Sequence, residues 1–284
     1  MQDYDTKVQF SINRIQSFDS VKKGTETARE IGYESVGHDL IFGLPFQTLD
    51  SIKDSIAKTK ELKPDRIAFY SYAHVPWIKG NGQRGFDEND LPKVSEKRQM
   101  YEFGKQQLEN IGYVEIGMDH FSLKTDSLYH SMINKTIHRN FMGYTSSSTQ
   151  LMIGLGVSSI SDSWYAFAQN EKNIEDYYAR IDENKIPIFR GHLLNEEDLI
   201  IRRHILNIMC NLETSWDNND LMLQELPELQ NRLEEMVNDE LLTIDNKTLK
   251  VTEKGRLFVR NICMALDLRM LKKQPKTRIF SMTV

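Results

Sequence analysis

Asp39-Leu40-Ile41-Phe42-Gly43-Leu44-Pro45 is the stretch on which the reading of the fold turns. The apolar run Leu40-Ile41-Phe42 closes a segment from Ser35 that reads as a strand, and Gly43 and Pro45 end it. Asp39 is then a carboxylate embedded in a strand. Upstream, Ser17 to Ile31 carries Val21, Ala28 and Ile31 among charged neighbours, an amphipathic helix stopped at Gly32. Downstream, Ile52, Ile56, Ala57 and Leu62 recur at helical spacing between Leu49 and Leu62, and Lys63-Pro64-Asp65 supplies a turn before a second strand, Arg66 to Tyr72. Helix, strand, helix, strand is the order of an α/β protein with a parallel sheet. Chemistry in such sheets gathers at the carboxyl ends of the strands, here Gly43 to Gln47 and Ala73 to Trp77.

Further along, Gly80 to Asp90 reads as a polar surface excursion, and Ser95 to Ile111 as a long helix closed by Gly112. Tyr113 to Phe121, Tyr144 to Thr145 and Leu151 to Ser161 suggest extra strands, with glycines at 117, 143, 154 and 156 where backbones can approach closely. Near residue 192 the texture changes to charged helices, Glu196 to Cys210 and Pro227 to Leu242. Leu242-Thr243-Ile244, Leu249-Lys250-Val251-Thr252 and a last helix from Glu253 complete a mostly helical, winged-helix-like unit. The expected domains are therefore 1–191 and 192–284. The helices of the second are acidic, which favours a packing or lid role over DNA reading.

The composition, 39% hydrophobic and 27% charged over 284 residues, is that of a folded soluble protein. No apolar run reaches the roughly 18 to 20 residues of a membrane helix. The start, Met1-Gln2-Asp3-Tyr4-Asp5, lacks the parts of a signal peptide, so the expected location is the cytoplasm and no membrane is expected as a partner. A net charge of −5 argues against nucleic-acid binding, and the basic run from Arg269 to Arg278 reads as a solvated terminus. The only cysteines, Cys210 and Cys263, sit inside apolar helical patterns and read as buried small hydrophobes. An iron–sulfur cubane needs three or four thiolates, so no metal ligands are assigned in this chain.

Several strings are more specific than composition: the segment Asp39 to Pro45, Tyr72-Ala73-His74-Val75-Pro76, Gly117-Met118-Asp119-His120-Phe121, His138-Arg139-Asn140-Phe141-Met142-Gly143-Tyr144-Thr145, and Gly154-Leu155-Gly156-Val157-Ser158-Ser159-Ile160-Ser161. In this order, and on through Ala168-Gln169-Asn170 to Arg260-Asn261-Ile262-Cys263, the chain resembles the oxygen-independent coproporphyrinogen III oxidases over essentially its whole length. The resemblance implies the C-terminal portion of an incomplete β/α (TIM-like) barrel with extra strands, followed by the helical domain. It also implies radical S-adenosylmethionine chemistry, with a 4Fe-4S cluster and S-adenosylmethionine as cofactors and coproporphyrinogen III as substrate. In that family two propionates are oxidatively decarboxylated to vinyl groups, giving protoporphyrinogen IX in haem biosynthesis. The family's cluster cysteines lie ahead of the region that this chain resembles, so the chain alone is expected to be inactive.

Carried over residue by residue, the resemblance implies that Gln2, Arg14, Asp39 and Ala73 contact one bound S-adenosylmethionine and that Ile160 lies against another. A carboxylate and an amide suit the ligand's amino-acid and ribose groups, Arg14 suits its carboxylate, and Ala73 and Ile160 suit adenine. Taken alone, Asp39 reads more readily as a satisfied structural carboxylate. A substrate with four propionates needs cations beside an apolar wall, and His120, His138 and Arg139 are the local candidates. An exposed barrel edge would invite homo-oligomers. The rival readings are a related haem chaperone and a non-catalytic tetrapyrrole-binding protein.

Overall fold

The computed structural model describes residues 2–76, 86–216 and 226–272. These form two compact units, one from the residues up to Ile133 and one from Asn134 onward. The change of texture at residue 192 falls inside the second of them.

In the first unit, α1 (Thr6–Ser11) is capped by Asp5, and α2 (Phe18–Glu30) by Ser17. There follow β1 (Gly37–Phe42), α3 (Leu49–Leu62), β2 (Arg66–Ser71), α4 (Val94–Asn110), β3 (Tyr113–Ile116), β4 (His120–Leu123) and α5 (Ser127–Ile133). The sheet order is β1-β2-β4-β3. β1 and β2 are parallel, with Asp39 opposite Ala68 and Ile41 opposite Tyr70. The parallel pairing requires a crossover, and α3 provides it. β4 is antiparallel to both β2 and β3.

Strand period fixes which side chains meet. Leu40, Phe42, Ile67 and Phe69 point to one face, where Ile52 and Ile56 of α3 and Met100, Tyr101 and Leu108 of α4 complete the main core. Gly104 lets α4 approach closely, since a Cβ there would lie 2.4 Å from the Phe69 ring. The opposite face carries Asp39, Ile41 and Tyr70, and it packs Ile41 and Tyr70 with Val8, Ile12, Leu44 and Tyr72. The sheet is thus layered by α3 and α4 on one face, while on the other α1 covers Ile41 and leaves Asp39 exposed.

The second unit contains β5 (His138–Asn140), β6 (Gly143–Thr145), β7 (Leu151–Met152), β8 (Ile160–Ser163), β9 (Ala166–Asn170), α6 (Ile174–Asp182), β10 (Ile188–Leu193), α7 (Glu196–Asn211), β11 (Glu213–Ser215), α8 (Leu226–Asn238), β12 (Leu242–Asp245), β13 (Thr248–Val251), α9 (Val259–Leu266) and α10 (Leu268–Lys272). β5 and β6 form a hairpin, β10-β9-β8-β7 an antiparallel sheet, and β11-β13-β12 a wing beside helices α7 to α9.

The strand expected within Leu151 to Ser161 is confined to its ends, in β7 and the start of β8. Between them the Asn170 side-chain amide donates to the carbonyls of Gly154 (3.1 Å) and Gly156 (3.0 Å) and holds a loop instead. The helix expected to run to Leu242 ends at Asn238, because Glu240 takes φ 61° and turns the chain into β12. Arg269, assigned to a solvated tail, is engaged by Asp198 through two hydrogen bonds of 2.5 and 2.7 Å. Most of the polar excursion from Gly80 to Asp90, and the tail beyond Lys272, lie outside the described residues.

Candidate functional site

At the carboxyl end of β1 the chain turns at Gly43 (φ 83°) and again at Phe46 (φ 61°). Buried Gln47 pins this loop from within: its amide donates to the Ile41 carbonyl (2.8 Å) and to Asp3 (2.6 Å), while its oxygen accepts from the Leu44 amide (3.0 Å). The loop is therefore a fixed platform. Lys97 of α4 lies across it, its stem so close that a Cβ on Gly43 would stand 2.7 Å from Lys97 Cε. Burial holds the Lys97 ammonium below its ordinary pKa. Nothing in the local sequence singles Lys97 out, since its relation to Gly43 arises only when α4 folds over the sheet.

Asp39 is exposed on the face turned away from α3 and α4. Tyr70, its near neighbour on β2, reports the local charge: burial raises its pKa, the Asp39 carboxylate raises it further, and Arg14 opposes both. The charges of Asp39 and Arg14 thus act on one phenol in opposite directions. Gln2 is tied to the same strand, its carbonyl accepting from the Ile41 amide at 2.9 Å. Ala73 is exposed just past the end of β2, where the Tyr72 amide donates to the Phe42 carbonyl at 2.8 Å and keeps the two strand ends together.

His120 reaches the same end of the sheet by a different route. β3 and β4 are joined by a tight turn in which Gly117 (φ 57°) and Asp119 (φ 62°) are left-handed. Because β4 runs antiparallel to β2, its first residue, His120, pairs with Ala68, and the Asp119 carbonyl accepts from the Phe69 amide at 2.7 Å. The first unit therefore brings Gln2, Asp39, Ala73 and His120 to the edges and carboxyl ends of one parallel pair, with Arg14 near enough for its charge to act on Tyr70.

Ile160, His138 and Arg139 belong to the second unit. Ile160 opens β8, with Gly154 against its backbone. His138 and Arg139 are sequence neighbours on β5, so the period of a strand sends them to opposite faces. His138 and Asn140 line a cavity with Asp162, Trp164 and Arg202. Arg139 instead stands 5.4 Å from the centre of the Tyr144 ring, with its Nε buried and unbonded. It also lies near the two thiols. Burial pushes Cys210 up to about 11 and Cys263 up to about 12, against a small opposing effect of Arg139. Two thiols on α7 and α9, one half-buried and one buried and both held in the protonated form, do not fit the ligand set of an iron–sulfur cluster.

No protein-family model matches the chain. It is similar to the oxygen-independent coproporphyrinogen III oxidase of Escherichia coli (36% identity, 100% of this chain and 63% of that protein). It is similar also to those of Pseudomonas aeruginosa (36%, 98% and 62%) and Thermostichus vulcanus (35%, 98% and 87%). A solved structure of the Escherichia coli coproporphyrinogen III oxidase, described as a radical SAM enzyme, superposes with a TM-score of 0.88 at 35% identity, covering 95% of this chain and 63% of that one. Fold and site together define a portion of an incomplete β/α barrel with extra strands and an appended winged-helix-like unit. The chain spans about three fifths of the length of the first two relatives named. It belongs to the oxygen-independent coproporphyrinogen III oxidase family.

Proposed function

We propose that this chain carries the ligand-positioning part of an enzyme that oxidatively decarboxylates two propionates of coproporphyrinogen III to vinyl groups. The carrying observation is the exposed Asp39 carboxylate on the face of the parallel strands turned away from α3 and α4, with Arg14 near enough for its charge to act on the neighbouring Tyr70. A zwitterionic, ribose-bearing ligand such as S-adenosylmethionine presents an ammonium, a carboxylate and a diol, which an exposed carboxylate and a guanidinium match. In this reading Asp39 and Gln2 hold the ammonium or ribose, Arg14 holds the carboxylate, and Ala73 leaves room for adenine. Ile160 serves a second such ligand, and His120, His138 and Arg139 serve the substrate. S-adenosylmethionine would supply the hydrogen-abstracting species once activated by a cluster. That activation needs thiolates other than Cys210 and Cys263, so this chain's own residues bind and orient and do not initiate the reaction.

The reading also places the protein in the cytoplasm and allows self-association at the outer edge of β1. No helix among the described residues is long and apolar enough to cross a membrane. Calorimetry tests the pocket: weak binding of S-adenosylmethionine is expected, lost in Asp39→Ala and Arg14→Ala, and tight binding that survives Asp39→Ala would overturn it. Anaerobic treatment with iron and sulfide, followed by an assay for vinyl product, tests the reaction. The chain alone should form none, and product should appear when a cluster-bearing segment of a relative is supplied. Light scattering showing a monomer at all concentrations would remove the edge association.

A further inference from the structure

Within the second unit lies a cavity of about 370 Å³ whose wall includes His138, Asn140, Asp162, Trp164, Arg202 and Arg203. Its charges are not equivalent. Arg202 is spent on the structure: its guanidinium donates to Asp162 (2.7 Å) and to the carbonyls of Ser163 (2.8 Å) and Trp164 (3.2 Å). It also lies 4.9 Å from the Trp164 ring and 4.8 Å from that of Phe167. Asp162 is buried and cancels the Arg202 charge. His138 is held below its ordinary pKa, first by burial and then by Arg202, so at neutral pH it contributes a hydrogen bond and no charge.

Arg203 is different. It follows Arg202 on α7, it is exposed, and no described residue pairs with its guanidinium, which stands 5.7 Å from the Trp164 ring. The wall thus has one uncompensated cation at the rim of an indole face, with a neutral imidazole and the Asn140 amide beside it. That is an arrangement for an anion carried on a flat apolar frame: a carboxylate meets the guanidinium while the frame lies against the aromatic ring. We infer that this cavity is a carboxylate subsite of the tetrapyrrole, with Arg203 receiving a propionate and Trp164 packing against the macrocycle. The inference rests on the proposed function and deepens it. It adds Arg203 to the cations offered to the substrate, on the face of β5 opposite to that of Arg139.

The test uses the whole chain and two stable probes, coproporphyrin III and its uncharged tetra-amide, followed by porphyrin fluorescence and by quenching of tryptophan emission. Coproporphyrin III should bind the unaltered protein more tightly than the amide. Arg203→Gln should weaken the tetracarboxylate about tenfold or more while leaving the amide unchanged, and Arg203→Lys should restore part of the loss. Trp164→Phe should remove most of the quenching. Equal binding of coproporphyrin III by Arg203→Gln, with the fold intact by circular dichroism, would overturn the subsite and leave the proposed function standing. No porphyrin binding by the unaltered chain would overturn both the substrate assignment and the subsite.

Discussion

Gly154 stands directly against Ile160: a Cβ built at residue 154 would lie 2.7 Å from the Ile160 carbonyl oxygen and 2.9 Å from its nitrogen. Both close atoms are backbone, so no rotamer change can relieve the contact. Gly154→Ala should therefore push the β8 backbone aside and cost about 1–3 kcal/mol of stability, read as a lower urea midpoint. Gly156→Ala gives the comparison. There a Cβ would meet only Ser159 Oγ, at an ordinary 3.7 Å, and it is the left-handed φ of 97° that opposes the side chain.

Asp3 is 1% exposed, and its carboxylate accepts from the Asp5 amide and from Gln47. Burial outweighs these bonds and raises its pKa from 3.8 to about 6. A carboxyl with a raised folded pKa contributes stability that is fully present below the unfolded value and lost as pH rises through the folded one. Urea midpoints of the protein minus those of Asp3→Asn should fall between about pH 4 and 6 and level off above, a change of up to about 3 kcal/mol. A difference flat with pH would show that Asp3 titrates normally.

His38 has the opposite sign. Its Nε2 lies 2.9 Å from Thr25 Oγ1, whose own hydrogen is given to the Val21 carbonyl, so Nε2 must carry the imidazole proton. Burial, with Arg29 assisting, lowers the pKa from 6.5 to about 4. The stability this gives is present above the unfolded value and is lost as pH falls through the folded one. Nitrogen-detected NMR should show the Nε2–H tautomer at pH 7 persisting to about pH 5, whereas protonation near pH 6.5 would refute the assignment. Over the window between pH 4 and 6 the two groups oppose each other, so single substitutions will show steeper pH profiles than the unaltered protein.

Glu115 on β3 joins two residues of α4, accepting from Tyr101 (2.8 Å) and from Lys105 (2.6 Å). Glu115→Gln keeps an acceptor for Tyr101 but leaves the largely buried Lys105 ammonium without its counter-charge. A loss of about 2–3 kcal/mol is expected, with Lys105→Met recovering part of it in the double variant.

The parallel pair was legible because its signals are local: an apolar run closed by Gly43 and Pro45, and helical spacing from Ile52 to Leu62. α1 and α6 were not, being short and carrying few core residues. The strings that reveal the family also contain Asp39, Ala73 and Ile160, whose neighbourhoods depend on strand positions that the order of elements already implies. What sequence could not show was direction. His138 and Arg139 look like one cationic patch until β5 separates them, and Arg202 and Arg203 look alike until Asp162 engages one and leaves the other. Lys97 meets Gly43 only through the packing of α4, a long-range relation with no local pattern.

The antiparallel placement of β4 beside β2 has a consequence for how such sheets can be recombined. A further β/α repeat joined after β2 would find its neighbouring position taken by a strand running the wrong way, so repeats can be added or exchanged only on the side of β1. Chimeras that swap β/α units between relatives should therefore fold when the junction lies before β1 and fail when it falls between β2 and β4, even where the residues exchanged are equally similar.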